Sequence, residues 1–144
     1  MTRITSRLVE LISVIRKESR RYPTVLVVER DGIALSADEV ATVATESELR
    51  RVDVEAVLFS KDRPCVQLGA FTRGHFLDWV LSEARSSNGL LVENADWVID
   101  TWPDVERGAF FLEFLRTECN QSDDETRRVP ILLPTKSAAR KPLP

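Results

Sequence analysis

Histidine is nearly absent from the sequence: His75 is the only one. A histidine metal cluster is therefore excluded, and a Cys-His dyad would need that single residue. Cysteine is scarce too. Cys65 and Cys119 show no metal-ligand spacing and read as two reduced thiols. No apolar run approaches the roughly 20 residues that span a bilayer. The first 21 residues are broken by charge too often to read as a signal peptide. The net charge of −3 gives no general attraction to nucleic acid or membrane. No G-x-S-x-G elbow occurs, and there is neither an internal repeat nor a low-complexity block. A cytoplasmic protein without a membrane partner is the expectation.

With 144 residues, 43% of them hydrophobic and 30% charged, the chain can build one domain around a real core. We expect that domain to span residues 1–138, followed by a disordered basic tail at 139–144. The organising stretch is Thr24–Ser36, TVLVVERDGIALS. The β-branched run Val25–Val28 predicts a strand buried on both faces, as in the middle of a parallel sheet. A polar turn with Gly32 follows, then a helix start at Ser36, with Glu39 at the capping-box spacing. Strand, turn and helix in this order are where doubly wound α/β proteins place ligand chemistry.

Before it, Ile4, Leu8, Leu11, Ile12 and Ile15 mark an amphipathic helix that Tyr22-Pro23 stops. That helix carries six basic side chains against two acidic ones, a net of +4. Its basic face reads as a solvated surface or as a contact to nucleic acid or an acidic partner. After it, the second helix is expected to run to about Arg51, and Val54–Phe59 to form a second strand. Ser60–Pro64 reads as a turn, and Cys65–Leu68 as an edge strand or extended loop. Phe76 to Ala84 form an apolar helical stripe, closed by Ser87-Asn88-Gly89. Gly89–Asn94 is the third strand. A short helical turn and a helix opening at Thr101-Trp102-Pro103-Asp104 follow. Phe110, Phe111, Phe114 and Leu115 read as core packing. Gly108 inside that helix costs about 1 kcal/mol relative to alanine, with close packing as its one suggested reason. Asn120–Arg128 reads as an acidic loop, and Val129–Leu133 as the fourth strand. Of the three tryptophans, two are expected in the core, and an exposed Trp102 would mark a protein interface.

Alternating helices and strands predict a three-layer αβα sandwich with a mostly parallel central sheet. Glu29, Ser60, Glu93 and Pro134-Thr135 would then share the rim at the strand C-termini.

A phosphate-binding loop reads G-x-x-x-x-G-K-[ST], with glycines for backbone N–H groups, lysine for the terminal phosphates and a hydroxyl for Mg²⁺. In the best register, Glu29 to Ser36, Glu29 and Ala34 replace the glycines and Leu35 replaces the lysine. Only Ser36 matches, and no lysine occurs between Lys17 and Lys61. The third strand ends in Glu93-Asn94, where Glu93 could reach a metal but Asn94 cannot serve as a general base.

The helix before TVLVVERDGIALS, the LLVEN strand, the long aromatic helix and the VPILLPT strand together resemble a small P-loop NTPase core of the AAA type. In layout and length the chain is similar to the stand-alone P-loop component of BREX-type phage-defence systems. That resemblance implies ATP binding with Mg²⁺ and work inside a multiprotein assembly, with Gly32 and Ser36 as vestigial cofactor-binding positions and Glu93 as a vestigial metal position. The acidic, lysine-free bend instead argues for no bound cofactor and no catalytic residue. The expected function is a non-catalytic P-loop-like scaffold or regulatory subunit, with other protein subunits as partners and antiviral defence as the implied setting. One alternative is a divergent ATPase completed in trans by a neighbour's lysine or arginine. Another is a pseudo-receiver, because VLVVERD also resembles the VLVVEDD strand of response-regulator receivers. There Glu29 and Asp31 remain, Glu93 and Asp96 lie on the third strand side, and Thr135 sits near the expected hydroxyl. Strand order separates these two folds. A strand between the first and second in sequence favours the P-loop topology, whereas their adjacency favours the receiver.

Overall fold

The computed structural model describes residues 2–30, 34–58 and 71–139. The elements run α1 (Arg3–Glu18), β1 (Thr24–Val28), α2 (Ala37–Glu46), β2 (Arg50–Asp53), α3 (Val54–Leu58), α4 (Arg73–Arg85), β3 (Leu90–Glu93), α5 (Asp96–Ile99), α6 (Asp104–Leu115), β4 (Asn120–Gln121), β5 (Asp124–Arg128) and β6 (Ile131–Thr135), with a 3₁₀ turn at Ser137–Ala139. Gly32, the expected turn at Ser60–Pro64, the expected edge strand at Cys65–Leu68 and the tail at 140–144 lie outside the described residues.

Four strands form one parallel sheet in the order β1-β6-β3-β2. Two strands therefore separate β1 from β2, so the first two strands are not neighbours. Strand alternation sends neighbouring side chains to opposite faces. Leu90 and Val92 on β3, with Ile131 and Leu133 on β6, join Phe76, Val80, Phe110 and Phe114 of α4 and α6. Leu91 and Leu132 point the other way, to Leu8 and Ile12 of α1 and Val40 and Val43 of α2. Helices thus cover both faces of the sheet.

Four expectations need correction. β1 is an edge strand, not a central one: its only strand partner among the described residues is β6, and Val25–Val28 are half-buried. The central places belong to β3 and β6, whose apolar runs are equally unbroken. A β-branched run marks a strand without fixing its place in the sheet. The second strand is Arg50–Asp53, and Val54–Leu58 is helical. Helix α2 stops at Glu46, and Glu48 then takes a left-handed φ of 53°, which turns the chain back. Asp53 Oδ1 accepts from the N–H groups of Glu55 and Ala56 and so caps α3. Val54 and Leu58, four apart, bury one helical face. A short, mostly apolar run such as VEAVLF fits either period, and here the cap decides. The acidic stretch after Asn120 is an antiparallel hairpin, β4 with β5, not a loop. Trp102 is buried, and its indole N–H donates to the Phe71 carbonyl at 2.8 Å. With Trp79 partly buried against the same core, two of the three tryptophans pack there as expected, and the exposed one is Trp97.

Candidate functional site

The C-terminal ends of β1, β3 and β6 open onto one cleft of about 520 Å³. Glu29 follows β1, Glu93 and Asn94 close β3, and Pro134 with Lys136 ends the β6 side. Asp96, Trp97 and Asp100 reach it from the α5 region, and Leu35, Ala37 and Val40 from the start of α2. Four carboxylates therefore face it, with Lys136 as the single cation among its described lining residues.

Glu29 is partly withdrawn from water. Burial pushes its carboxyl above the ordinary carboxylate range; Lys136 opposes that shift and Asp96 adds to it. The nearby backbone N–H of Leu35 also works against the rise. In a phosphate-binding loop such an N–H faces the ligand's oxygens. Here an acidic side chain of the protein stands beside a backbone donor of the bend. The Glu29 N–H meanwhile donates to the Thr135 carbonyl at 2.8 Å and extends the β1–β6 ladder.

Ser36 is the N-cap of α2. Its hydroxyl accepts from Glu39 N–H at 3.2 Å, and its own N–H donates to the Glu39 carboxylate at 3.1 Å. The capping box read from the sequence is present. The other Glu39 oxygen accepts from Thr2, so the cap also ties α2 to the start of α1.

Glu93 sits in an ion pair. Arg51 donates to both of its oxygens, at 3.0 and 2.7 Å. Asn94, in the left-handed region at φ 59°, donates its amide to Asp53 at 2.9 Å and clips the ends of β2 and β3 together. Among the described residues, no group of three His, Cys, Asp or Glu side chains converges so as to hold a metal ion.

The densest polar network in the cleft wall centres on Asp96. Its carboxylate accepts from Thr135 Oγ1 at 2.5 Å, Lys136 N–H at 2.9 Å and Ser137 Oγ at 3.0 Å. The Ser137 hydroxyl also contacts Asp100, and Ser137 N–H donates to Thr135 Oγ1 at 3.0 Å. This network fastens α5 to the end of β6. Sequence reading singles out Asp96 and Thr135 but passes over Ser137, which no motif spacing marks.

The basic face of α1 is partly committed. Arg16 reaches the carbonyls of Ser47, Glu48 and Asn88, Arg20 pairs with Glu18, and Arg21 pairs with Glu118. Arg3, Arg7 and Lys17 are exposed. His75 lies exposed in the first turn of α4, while Cys65 is outside the described residues. No helix of the described residues is long and apolar enough to cross a membrane.

Protein-family models, curated proteins and solved structures were each compared with the chain, and none of them matches it.

Proposed function

We propose that this chain is a non-catalytic, P-loop-like module, a scaffold or regulatory subunit of a multiprotein complex, with antiviral defence as the setting that its layout suggests. The observation that carries the reading is the Glu29 carboxylate, a partly buried acid at the end of β1 that faces the cleft where a phosphate-binding loop offers backbone N–H groups to its ligand. Three further features support it. The strand order β1-β6-β3-β2 suits the P-loop topology better than that of a receiver, in which the first two strands are neighbours. The bend leads from β1 into the capped N-terminus of α2, the layout of such a loop. Yet a triphosphate entering the cleft would meet Glu29, Glu93, Asp96 and Asp100, with Lys136 as the one described lining cation.

The test has two arms. Calorimetric titration of the full chain with Mg²⁺-ATP is expected to give no saturable binding up to about 1 mM nucleotide. Binding on the order of micromolar would overturn the non-catalytic reading in favour of a divergent ATPase. Tagged protein recovered from its native host is expected to carry other subunits in a fixed ratio. Recovery of the chain alone would overturn the scaffold reading.

A further inference from the structure

Helix α6 buries one face and leaves the opposite one bare. Phe110 and Phe114 are fully buried, while Val105, Leu112 and Leu115 are 81%, 60% and 41% exposed. With Gly108 these residues form a stripe spaced three, four and three along the helix. That is the a/d alternation of a helix–helix seam. Gly108 is the telling member. A glycine weakens a helix interior, and a Cβ at this position would meet nothing within 4 Å. Nothing among the described residues uses the gap that this glycine leaves.

The charges around the stripe limit what can cover it. Glu106 and Glu113 turn toward Arg73 of α4, at 3.1 and 3.0 Å, and share its single charge there, away from the stripe. Asp104 stands at the N-terminal end of the helix, held from the side by Arg107. Arg116, exposed, stands at the C-terminal end. The stripe is thus apolar along its length, acidic at one end and basic at the other. Such a surface complements itself when it is reversed.

We propose that this face binds a second copy of the same chain, α6 against α6, antiparallel about a twofold axis at the level of Phe110. Leu112 of each copy then packs over Gly108 of the other, and Val105 lies level with Leu115 of the other. Asp104 of each copy stands level with Arg116 of the second, and the two helix dipoles oppose each other. The interface is isologous, so each contact occurs twice. A parallel pairing would set Gly108 on Gly108, leaving a void, and would bring like charges together at both ends. A single twelve-residue helix buries less than a standard interface, so the dimer is expected to be weak and reversible, with dissociation on the order of tens of micromolar as the range to search.

Sedimentation velocity of the full chain from about 1 to about 300 µM tests this. The expected result is a reversible monomer–dimer equilibrium that Leu112→Glu shifts by at least about 100-fold toward monomer. Asp104→Arg and Arg116→Asp each weaken the dimer about tenfold, through two equivalent ion pairs of about threefold each. The double swap restores it to within about threefold of the starting affinity. A wild-type chain that stays monomeric throughout would overturn the proposal and leave the face to a different protein. A dimer indifferent to Leu112→Glu would place the contact elsewhere and also overturn it. A double swap no better than the single changes would refute the antiparallel arrangement.

Discussion

Arg51 on β2 holds both carboxylate oxygens of Glu93 on the neighbouring strand β3. The pair links the two strands near the rim, and hydrogen bonding to Glu93 holds the guanidinium above its ordinary range. Its geometry is bidentate, the strong form of the interaction. Both side chains keep contact with water, however, at 45% and 22% exposure. Solvent therefore screens most of the Coulomb gain. Arg51→Ala is expected to lower stability by only about 0.5 kcal/mol. The difference should shrink further at about 0.5 M salt, where the Debye length is only a few ångströms. Urea midpoints at low and high salt check both statements. A salt-independent loss of several kcal/mol would mean that the pair acts as a buried one.

Asp96 should matter far more. It serves three donors, and two of the groups beside it, Thr135 and Ser137, are buried. Asp96→Ala would leave the Thr135 hydroxyl and the Lys136 N–H short of an acceptor, while the Ser137 hydroxyl keeps Asp100. The expected loss is about 2–3 kcal/mol. Asp96→Asn keeps one acceptor oxygen but turns an amide donor toward other donors, so an intermediate loss is expected. Equilibrium urea unfolding of the three proteins would rank them. If Asp96→Ala falls within a few tenths of wild type, the network is not holding α5 in place.

Glu29 gives the fold a pH dependence of defined sign. Burial, opposed by Lys136, raises its carboxyl above the ordinary 4.5. The folded chain therefore binds this proton at pH values where the unfolded chain has released it. Through this group, stability rises as pH falls through the folded-state value, and levels off below about 4.5. At pH 7 the ionised side chain is a cost. Glu29→Gln, which removes the charge at nearly the same size, is expected to be more stable than wild type at pH 7. That advantage should vanish near pH 4. Urea midpoints at the two pH values decide it, and a Gln variant less stable at pH 7 would contradict the burial argument.

Local chemistry was the legible part of this fold. The Ser36–Glu39 capping box could be read because both partners lie within four residues of each other. The buried runs at Leu90–Val92 and Ile131–Leu133 announced strands because both of their faces are covered. What escaped depends on distant partners. Arg50 and Arg51 do not look like strand residues, yet they close the sheet edge because Glu83 and Glu93 receive them. The hairpin after Asn120 is polar on both sides, so no alternation reveals it. The cleft followed the same division. Glu29, Glu93 and Thr135 lie at the expected strand ends. The partners that occupy two of them, Arg51 for Glu93 and the Asp96 carboxylate for Thr135, follow only from the fold.

Two glycines should respond to the same substitution with opposite signs. A Cβ at Gly89 would come within 2.5 Å of Leu49 Cδ2 and 2.8 Å of an Arg16 guanidinium nitrogen. Neither neighbour can yield easily. Leu49 is buried in the α1–α2 core. Arg16 is held by the carbonyls of Ser47, Glu48 and Asn88, fixing the end of α1 to the two turns that precede β2 and β3. Gly89→Ala must shift one of them, for an expected loss of about 1–2 kcal/mol. Gly108→Ala adds its methyl to open space on the exposed face of α6. There the helical preference of alanine acts unopposed, and the expected gain is about 0.5–1 kcal/mol. Thermal melts of both variants at low micromolar concentration, where the proposed dimer is dissociated, measure the monomer alone. A loss at position 108 would mean that something in the monomer packs against that glycine, and the gap offered to a second copy would not exist.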